Sequence, residues 1–371
     1  MYLKKRRAAR PSTHPRDETE LLRTRDLAGG ACGVAMAHER EQSLEFFIFG
    51  HPCGMSPSPE IHNVGFAENG YRHRYSRFDT EDYKLVMEKV RMTGTGGGSV
   101  TIPHKESVLP EMDTLSDAAR RIGAVNTITK LADGKLHGDN TDWLGIMKQI
   151  EARLAERGAA AGRATKAPSK SAGTVALLCG AGGTAKAAAY AFAQMGCAHV
   201  LVMNRTLERA EELAKEYGAR FVAVTPDAAV KRLTQWGRLD FIVCTLPGST
   251  GFTLPDGIAG AVATHRPVVV EASYIPRHTA FVKQVLAAGC EDVIEGIEML
   301  FEQGCAQCEA WTAKPAPRQA IAHSLLKALF TPGSAHPAAT KMEPLDAPPI
   351  TIRREAEASS GPRRSKRLRQ P

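Results

Sequence analysis

Five short apolar runs rich in β-branched residues punctuate the second half of the chain: Val175 to Cys179 (VALLC), His199 to Met203 (HVLVM), Arg220 to Val224 (RFVAV), Phe241 to Thr245 (FIVCT) and Val268 to Ser273 (VVVEAS). Runs of this length, apolar at successive positions, suit strands buried on both faces of a parallel sheet. Between the first two lies a small-residue stretch, Ala185 to Met195, that reads as a helix. The pattern predicts an α/β fold with a doubly wound parallel sheet over residues 174–295. Upstream, residues 44–152 read as a separate α/β domain richer in polar motifs, and helices from about Gly296 to Phe330 read as returning to it, with a cleft between the two domains. Residues 153–173, rich in Ala, Gly, Lys and Ser, read as a linker. Residues 1–43 and 331–371 lack apolar periodicity and read as disordered basic tails, so a chain from about Leu44 to Pro332 is expected to fold and work unaided.

The first of those strands runs straight into Gly180-Ala181-Gly182-Gly183-Thr184-Ala185. A glycine loop between a strand and a helix is the setting in which a dinucleotide pyrophosphate meets a helix N-terminus. Gly180 permits the tight turn, Gly182 lets the phosphates approach the backbone, and Ala185 lets the helix pack on the strand. The second strand ends at Asn204, Arg205 and Thr206. An NAD site usually carries an acidic residue there for the ribose hydroxyls, whereas a guanidinium suits a 2′-phosphate through paired charge-assisted bonds, so Arg205 predicts NADP. Arg209, one helical turn on, either closes the far side of that phosphate or pairs with a helix neighbour such as Glu208 or Glu212.

A lysine and an aspartate lie upstream, in Ser99 to Lys105 (SVTIPHK) and Gly138 to Asp142 (GDNTD). Either residue alone is ordinary surface chemistry. Together, with Pro103 stiffening the loop of Lys105 and with Asn140 and Thr141 supplying short polar groups beside Asp142, they point to a proton carrier held in place by a carboxylate. Next to a dinucleotide site, that pairing implies hydride transfer to or from a small polar alcohol.

The net charge of +8 suggests nucleic acid until its distribution is considered. Residues 1–10 and 352–371 each carry a net +5, which leaves −2 for the rest, so no nucleic-acid face is expected on the folded core. The basic runs KKRR and RRSKR suit an importin, an anionic lipid or nucleic acid, but such runs are usually just solvated. No apolar run approaches the roughly 18 residues of a membrane span. Eight cysteines are dispersed along the chain. Cys305 and Cys308 form a CxxC, but zinc would need a second pair, and none stands in the sequence, so no metal is expected. His62 and His104, beside the polar motifs, read as structural.

In order along the chain, Ser56 to Asn63 (SPSPEIHN), VTIPHK, Ile122 to Thr127 (IGAVNT), GDNTDWLG, GAGGTAKA, NRT and GIEML followed by Gln303 resemble the motifs of shikimate dehydrogenases. The resemblance runs from about Phe46 to Leu329 and is strongest toward the dehydrogenase domain of the eukaryotic pentafunctional arom polypeptide. It implies that Ser56 and Ser58 bind the substrate carboxylate, that Thr101, Asn126, Asp142, Tyr274 and Gln303 hold ring hydroxyls, and that Lys105 and Asp142 are the catalytic pair. By the same resemblance Thr245, in a variant of the family's turn beside the nicotinamide, and Gly296 belong to the cofactor site with Gly180 to Thr184, Asn204 to Thr206 and Arg209. The implied activity is reversible NADPH-dependent reduction of 3-dehydroshikimate to shikimate in aromatic amino acid biosynthesis. Implied too are a cytoplasmic setting, with an organelle or nucleus open, and association with other enzymes of that pathway. Quinate as substrate, or a non-catalytic arom-like regulator, are the alternatives. Four positions depart from the family pattern: Glu271 stands where an aspartate is usual, Ala272 where a longer residue is common, Ser99 where bacterial members carry an asparagine, and Cys308 where an aromatic is common.

Overall fold

The computed structural model describes residues 43–160, 173–342 and 349–357. Two six-stranded sheets organise them. In the first, strands β1 (Glu45–Gly50), β2 (Arg74–Asp79), β3 (Thr95–Val100), β4 (Thr114–Leu115), β5 (Thr127–Lys130) and β6 (Leu136–Asp139) lie in the order β2-β1-β3-β5-β6-β4. Strand β1 is parallel to both neighbours, and β5 runs antiparallel between β3 and β6. The β1 sequence EFFIFG is apolar at successive positions because both faces are covered. Phe46 and Ile48 pack with Phe66 and Trp311 on one side, while Phe47 and Phe49 pack with Val86 and Val90 on the other. Those partners come from helices α1 (Ser58–Glu68) and α2 (Tyr83–Arg91) and from the much later α10 (Gly296–Thr312). The short helix α3 (Asp117–Ile122) lies between β4 and β5.

The second sheet is all parallel, in the order β12-β11-β10-β7-β8-β9. Its strands are β7 (Val175–Cys179), β8 (His199–Met203), β9 (Phe221–Val224), β10 (Phe241–Cys244), β11 (Val268–Glu271) and β12 (Val293–Ile294). All five expected strands are present: β7 and β8 with the expected bounds, β9 without its first residue Arg220, and β10 and β11 shorter at the end by Thr245 and by Ala272 and Ser273; the two-residue β12 carried no sequence signal. Helices α4 (Asp142–Ala160), α5 (Gly183–Gln194) and α6 (Leu207–Tyr217) cover one face. Helices α7 (Pro226–Trp236), α8 (Asp256–His265) and α9 (Ala280–Ala287) cover the other. The strand order reverses between β7 and β10, and such a switch point opens the crevice in which nucleotides bind.

Two expectations need correction. Helix α4 continues to Ala160, so the first eight residues of the expected 153–173 linker are helical. Ile146 and Ile150 are fully buried against the second sheet and Leu154 packs beside them, an i, i+4, i+8 stripe that the surrounding Arg, Glu and Gly residues masked. Within the stretch expected to be a C-terminal tail, residues 331–342 and 349–357 belong to the fold. His336, Ala338 and Met342 are buried around a single 3₁₀ turn, Ala339–Lys341. Helix α12 (Ile350–Glu357) then buries Ile352 and Ala356 in a cluster with Phe301, Ile321 and Leu325, shared with α10 and with α11 (Arg318–Phe330). This segment offers too few apolar residues for a periodicity to show; its order comes from the partners it meets. Residues 343–348 and the basic residues 358–371, like residues 1–42 and 161–172, lie outside the described part, and the expectations for those stretches stay with them.

Candidate active site

The site residues converge from four places in the chain. Lys105 follows β3, Asp142 opens α4, Asn126 precedes β5, and Gln303 comes from α10. Lys105 Nζ donates to Asp142 Oδ2 at 2.6 Å, with the two side chains only 12% and 7% exposed, so little water competes for the pair. Asp142 Oδ1 accepts from Asn126 Nδ2 at 2.8 Å. That amide also reaches Gln303 Oε1 at 3.2 Å and Thr141 Oγ1 at 3.1 Å, while Asn126 Oδ1 accepts from the Thr141 N–H at 2.8 Å. The carboxylate is therefore held on both oxygens, and the lysine head is aimed by it. Thr101, partly buried at the end of β3, is fixed by its N–H on the Phe49 carbonyl at 2.8 Å.

The serines occupy the turn into α1. Ser56 and Ser58 are buried, their hydroxyls 3.0 Å apart. Burial pushes the Tyr274 phenol up, opposed by its interaction with the Ser56 hydroxyl, so these two expected substrate groups are neighbours.

The glycine loop faces the lysine directly. Lys105 Nζ lies 3.3 Å from Thr184 Oγ1, and a side chain at Gly183 would meet Lys105 Cβ at 3.5 Å. The two sheet layers are also tied by Lys186 Nζ to Glu106 Oε2 at 2.9 Å and by Arg121 Nη2 to the Glu216 carbonyl at 2.7 Å. At the switch point, Gly180 has φ +118°, and a Cβ there would stand 2.3 Å from Thr245 Oγ1. Next to it Gly182 opens on free space, the room a pyrophosphate needs. Ala181 and Thr184 flank Gly182 and Gly183 in sequence, and Gly296 opens α10, where a Cβ would meet the Ser273 carbonyl at 2.6 Å beside Tyr274. Asn204 Nδ2 donates to the Thr206 carbonyl at 2.8 Å, shaping the turn after β8. Arg205 and Arg209 are both exposed there, and among the described residues neither pairs with a carboxylate, Glu208 and Glu212 included.

Several participants carried no isolated signal. Gln307, one turn beyond Gln303 on α10, accepts from the Ser99 hydroxyl at 2.8 Å and donates to the Thr127 hydroxyl at 2.9 Å and to the Asn126 carbonyl at 3.1 Å. Ser99 also receives the Tyr75 hydroxyl at 2.7 Å, so the departure at Ser99 is absorbed by a complete network. His104 Nε2 bonds the Thr80 carbonyl at 2.7 Å and His62 is fully buried against Tyr75 and Trp311; both hold structure. Burial pushes the Cys305 and Cys308 thiols up, Cys308 to about 11, which keeps them protonated at neutral pH.

Glu271, the departure on β11, is 1% exposed and accepts from the Ser273 N–H at 2.9 Å and the Thr279 hydroxyl at 2.8 Å. Burial pushes its carboxyl up to about 7. The fold thus prefers the protonated form: the contribution is full below about pH 4.5, the unfolded value, and is lost as pH rises through about 7. We expect stability to fall by about 2 kcal/mol from this group between about pH 5 and pH 8, and Glu271→Gln to flatten the slope. Urea midpoints of both proteins at the two pH values test this; equal slopes would rule it out.

Three segments of the chain match families of known proteins. The shikimate dehydrogenase substrate binding domain matches residues 48–128, the shikimate / quinate 5-dehydrogenase domain residues 163–249, and the shikimate 5′-dehydrogenase C-terminal domain residues 296–326. The pentafunctional AROM polypeptide of Kluyveromyces lactis is 34% identical over 286 residues, 75% of this chain but only 17% of that polypeptide. The solved dehydroquinate dehydratase and shikimate dehydrogenase of S. pombe AroM has 30% identity and a TM-score of 0.61, over 76% of this chain and 53% of that one. Shikimate 5-dehydrogenase from Thermus thermophilus, solved with NADP(H) and shikimate, likewise has 30% identity, with a TM-score of 0.60 over 76% of this chain and 98% of its own. Near-complete coverage of that enzyme, with three family segments in sequence order from residue 48 to residue 326, makes this chain a member of the shikimate dehydrogenase family.

Proposed function

We propose that the chain is an NADP-dependent shikimate dehydrogenase, reducing 3-dehydroshikimate reversibly to shikimate. The observation that carries this reading is the Lys105–Asp142 pair at 2.6 Å, buried and in contact with the glycine loop through Thr184. The dinucleotide supplies the hydride when bound. Gly180 and Gly182 leave the backbone free to meet its pyrophosphate, with Ala181, Gly183 and Thr184 around them, and the unpaired Arg205 and Arg209 would hold the 2′-phosphate beside Asn204 and Thr206. Thr245 and Gly296 would border the nicotinamide. Ser56 and Ser58 would take the substrate carboxylate, and Thr101, Asn126, Tyr274 and Gln303 its hydroxyls. Lys105 Nζ gives a proton to the carbonyl oxygen as that oxygen gains charge, and Asp142 keeps the ammonium aimed at it. In the reverse direction the same lysine accepts the alcohol proton.

A site that bonds every hydroxyl rejects analogues lacking one far more strongly than an apolar pocket does. Initial rates with shikimate and quinate, each with NADP and NAD, therefore test the reading, and faster turnover of quinate with NAD would replace it. No helix among the described residues is long and apolar enough to cross a membrane. A cytoplasmic setting, and association with enzymes of adjoining steps, go with the likeness to a polypeptide named pentafunctional.

The cofactor part has its own test. Arg205→Asp should remove charge-assisted bonds and place a carboxylate against the phosphate, shifting preference from NADPH toward NADH by about 2 kcal/mol. Parallel losses of affinity for both cofactors would place the 2′-phosphate elsewhere.

A further inference from the structure

The turn carrying Ser56 is held from outside the site. Arg77, on β2, donates through Nε and Nη2 to the Ser56 carbonyl at 2.9 and 2.5 Å. Its Nη2 also lies 3.5 Å from Glu60 Oε2, in the first turn of α1. Facing both is His336, whose side chain is 5% exposed, from the segment that follows α11. The Ala338 N–H donates to His336 Nδ1 at 3.1 Å, which places the ring proton on Nε2. That proton faces Glu60 Oε2 at 3.5 Å; Arg77 Nη2 packs 3.1 Å from the same ring nitrogen, a contact between two donors that both aim at the carboxylate and not a bond between them. One carboxylate therefore gathers the arginine and the histidine, and burial holds the ring below its ordinary value, neutral. A second tie, the Ser324 hydroxyl on the Glu60 carbonyl at 2.8 Å, anchors the same turn to α11. His336 lies beyond residue 326, where the match to the family's C-terminal domain ends.

We propose that His336, Glu60 and Arg77 form a relay of positioning residues through which the C-terminal segment sets the geometry of Ser56 and Ser58, and hence the affinity for the substrate carboxylate. The proposal rests on the reading of those serines as the carboxylate site. Arg77 has two partners besides the Ser56 carbonyl; without His336, the Glu60 side chain loses its donor on that flank and the guanidinium its lateral stop. An open cavity of about 600 Å³ adjoins all three side chains, so water can fill the space left by a smaller residue and the fold should survive the change.

The experiment uses the full chain with 3-dehydroshikimate and NADPH. His336→Ala and Glu60→Gln should each raise KM for 3-dehydroshikimate about three- to tenfold, with kcat and KM for NADPH within about twofold of wild type. His336→Gln, which keeps a donor toward Glu60, should restore most of the affinity. Ser56→Ala and Ser58→Ala run alongside. If both serine variants leave KM unchanged, the carboxylate reading fails and the relay with it. If the serine variants raise KM while His336→Ala and Glu60→Gln do not, the serine reading stands and the relay is overturned. An equal rise in KM for NADPH, or no rescue by His336→Gln, indicates general loosening and also overturns it.

Discussion

Lys105→Ala should lower turnover by about two to four orders of magnitude, the scale of a lost general acid, while NADPH binding changes little. The size of the loss follows from what the lysine touches. Its Nζ meets Asp142 at 2.6 Å and the Thr184 hydroxyl at 3.3 Å, and neither a carboxylate nor an aliphatic hydroxyl can take over from an ammonium as the acid. Removing it leaves Asp142 Oδ1 still held by Asn126 at 2.8 Å, which keeps the carboxylate oriented. Of the proposed cofactor residues only Gly183 and Thr184 adjoin Lys105; Gly180, Gly182 and the arginines after β8 do not depend on it. Single-turnover rates together with NADPH fluorescence titration separate the two effects. Turnover near wild type would remove Lys105 from the chemistry and with it the proposed activity.

Ending the chain at Pro332 should cost on the order of 5 kcal/mol, enough to consume much of the stability of an ordinary domain. The lost residues include Ala338, Met342, Ile352 and Ala356, all buried, and their absence bares Ile321 and Leu325. Polar ties go too. Thr351 donates its N–H to Glu298 Oε1 at 3.0 Å and its hydroxyl to Gln149 Oε1 at 3.0 Å, and Glu355 pairs with Arg318 at 2.8 Å. A chain ending at Glu357 keeps every one of these contacts and is the comparison. If urea midpoints of the two differ by less than the scatter of the measurement, the segment is not part of the core.

The second sheet was legible because most of its strands are apolar at successive positions and adjoin their own helices, a local signal needing no knowledge of distant residues. The glycine loop was legible for the same reason: Gly180 needs its positive φ within a few residues of β7 and α5. Lys105 and Asp142 could be paired only by chemistry, and their neighbours less well. Asn126 and Gln303 meet across 177 residues, and Gln307 completes the network from a helix that reads simply as a returning C-terminal element. Residues 331–342 and 349–357 carry no such signal, because order there is conferred by α10 and α11 and not by their own periodicity. Helix α4 was cut short for the opposite reason, since a run of Arg, Glu and Gly around it hid the buried stripe of Ile146, Ile150 and Leu154.

The covering of the first sheet has a consequence for how the protein is made. Glu60 on α1 receives its bond from Ser324, 264 residues later, and Ile61 beside it packs on Ile297, Ile321 and Leu325. A ribosome releases the chain from its N-terminus, so the first sheet emerges first and waits longest, one apolar flank open until α10, α11 and α12 arrive. The second sheet, contiguous from Val175 to Ile294, has all its strands in hand before that. Synthesis therefore completes the two layers in the reverse of their order in the sequence, and the nascent chain spends most of its emergence with Phe66, Ile61 and the serine turn within reach of chaperones.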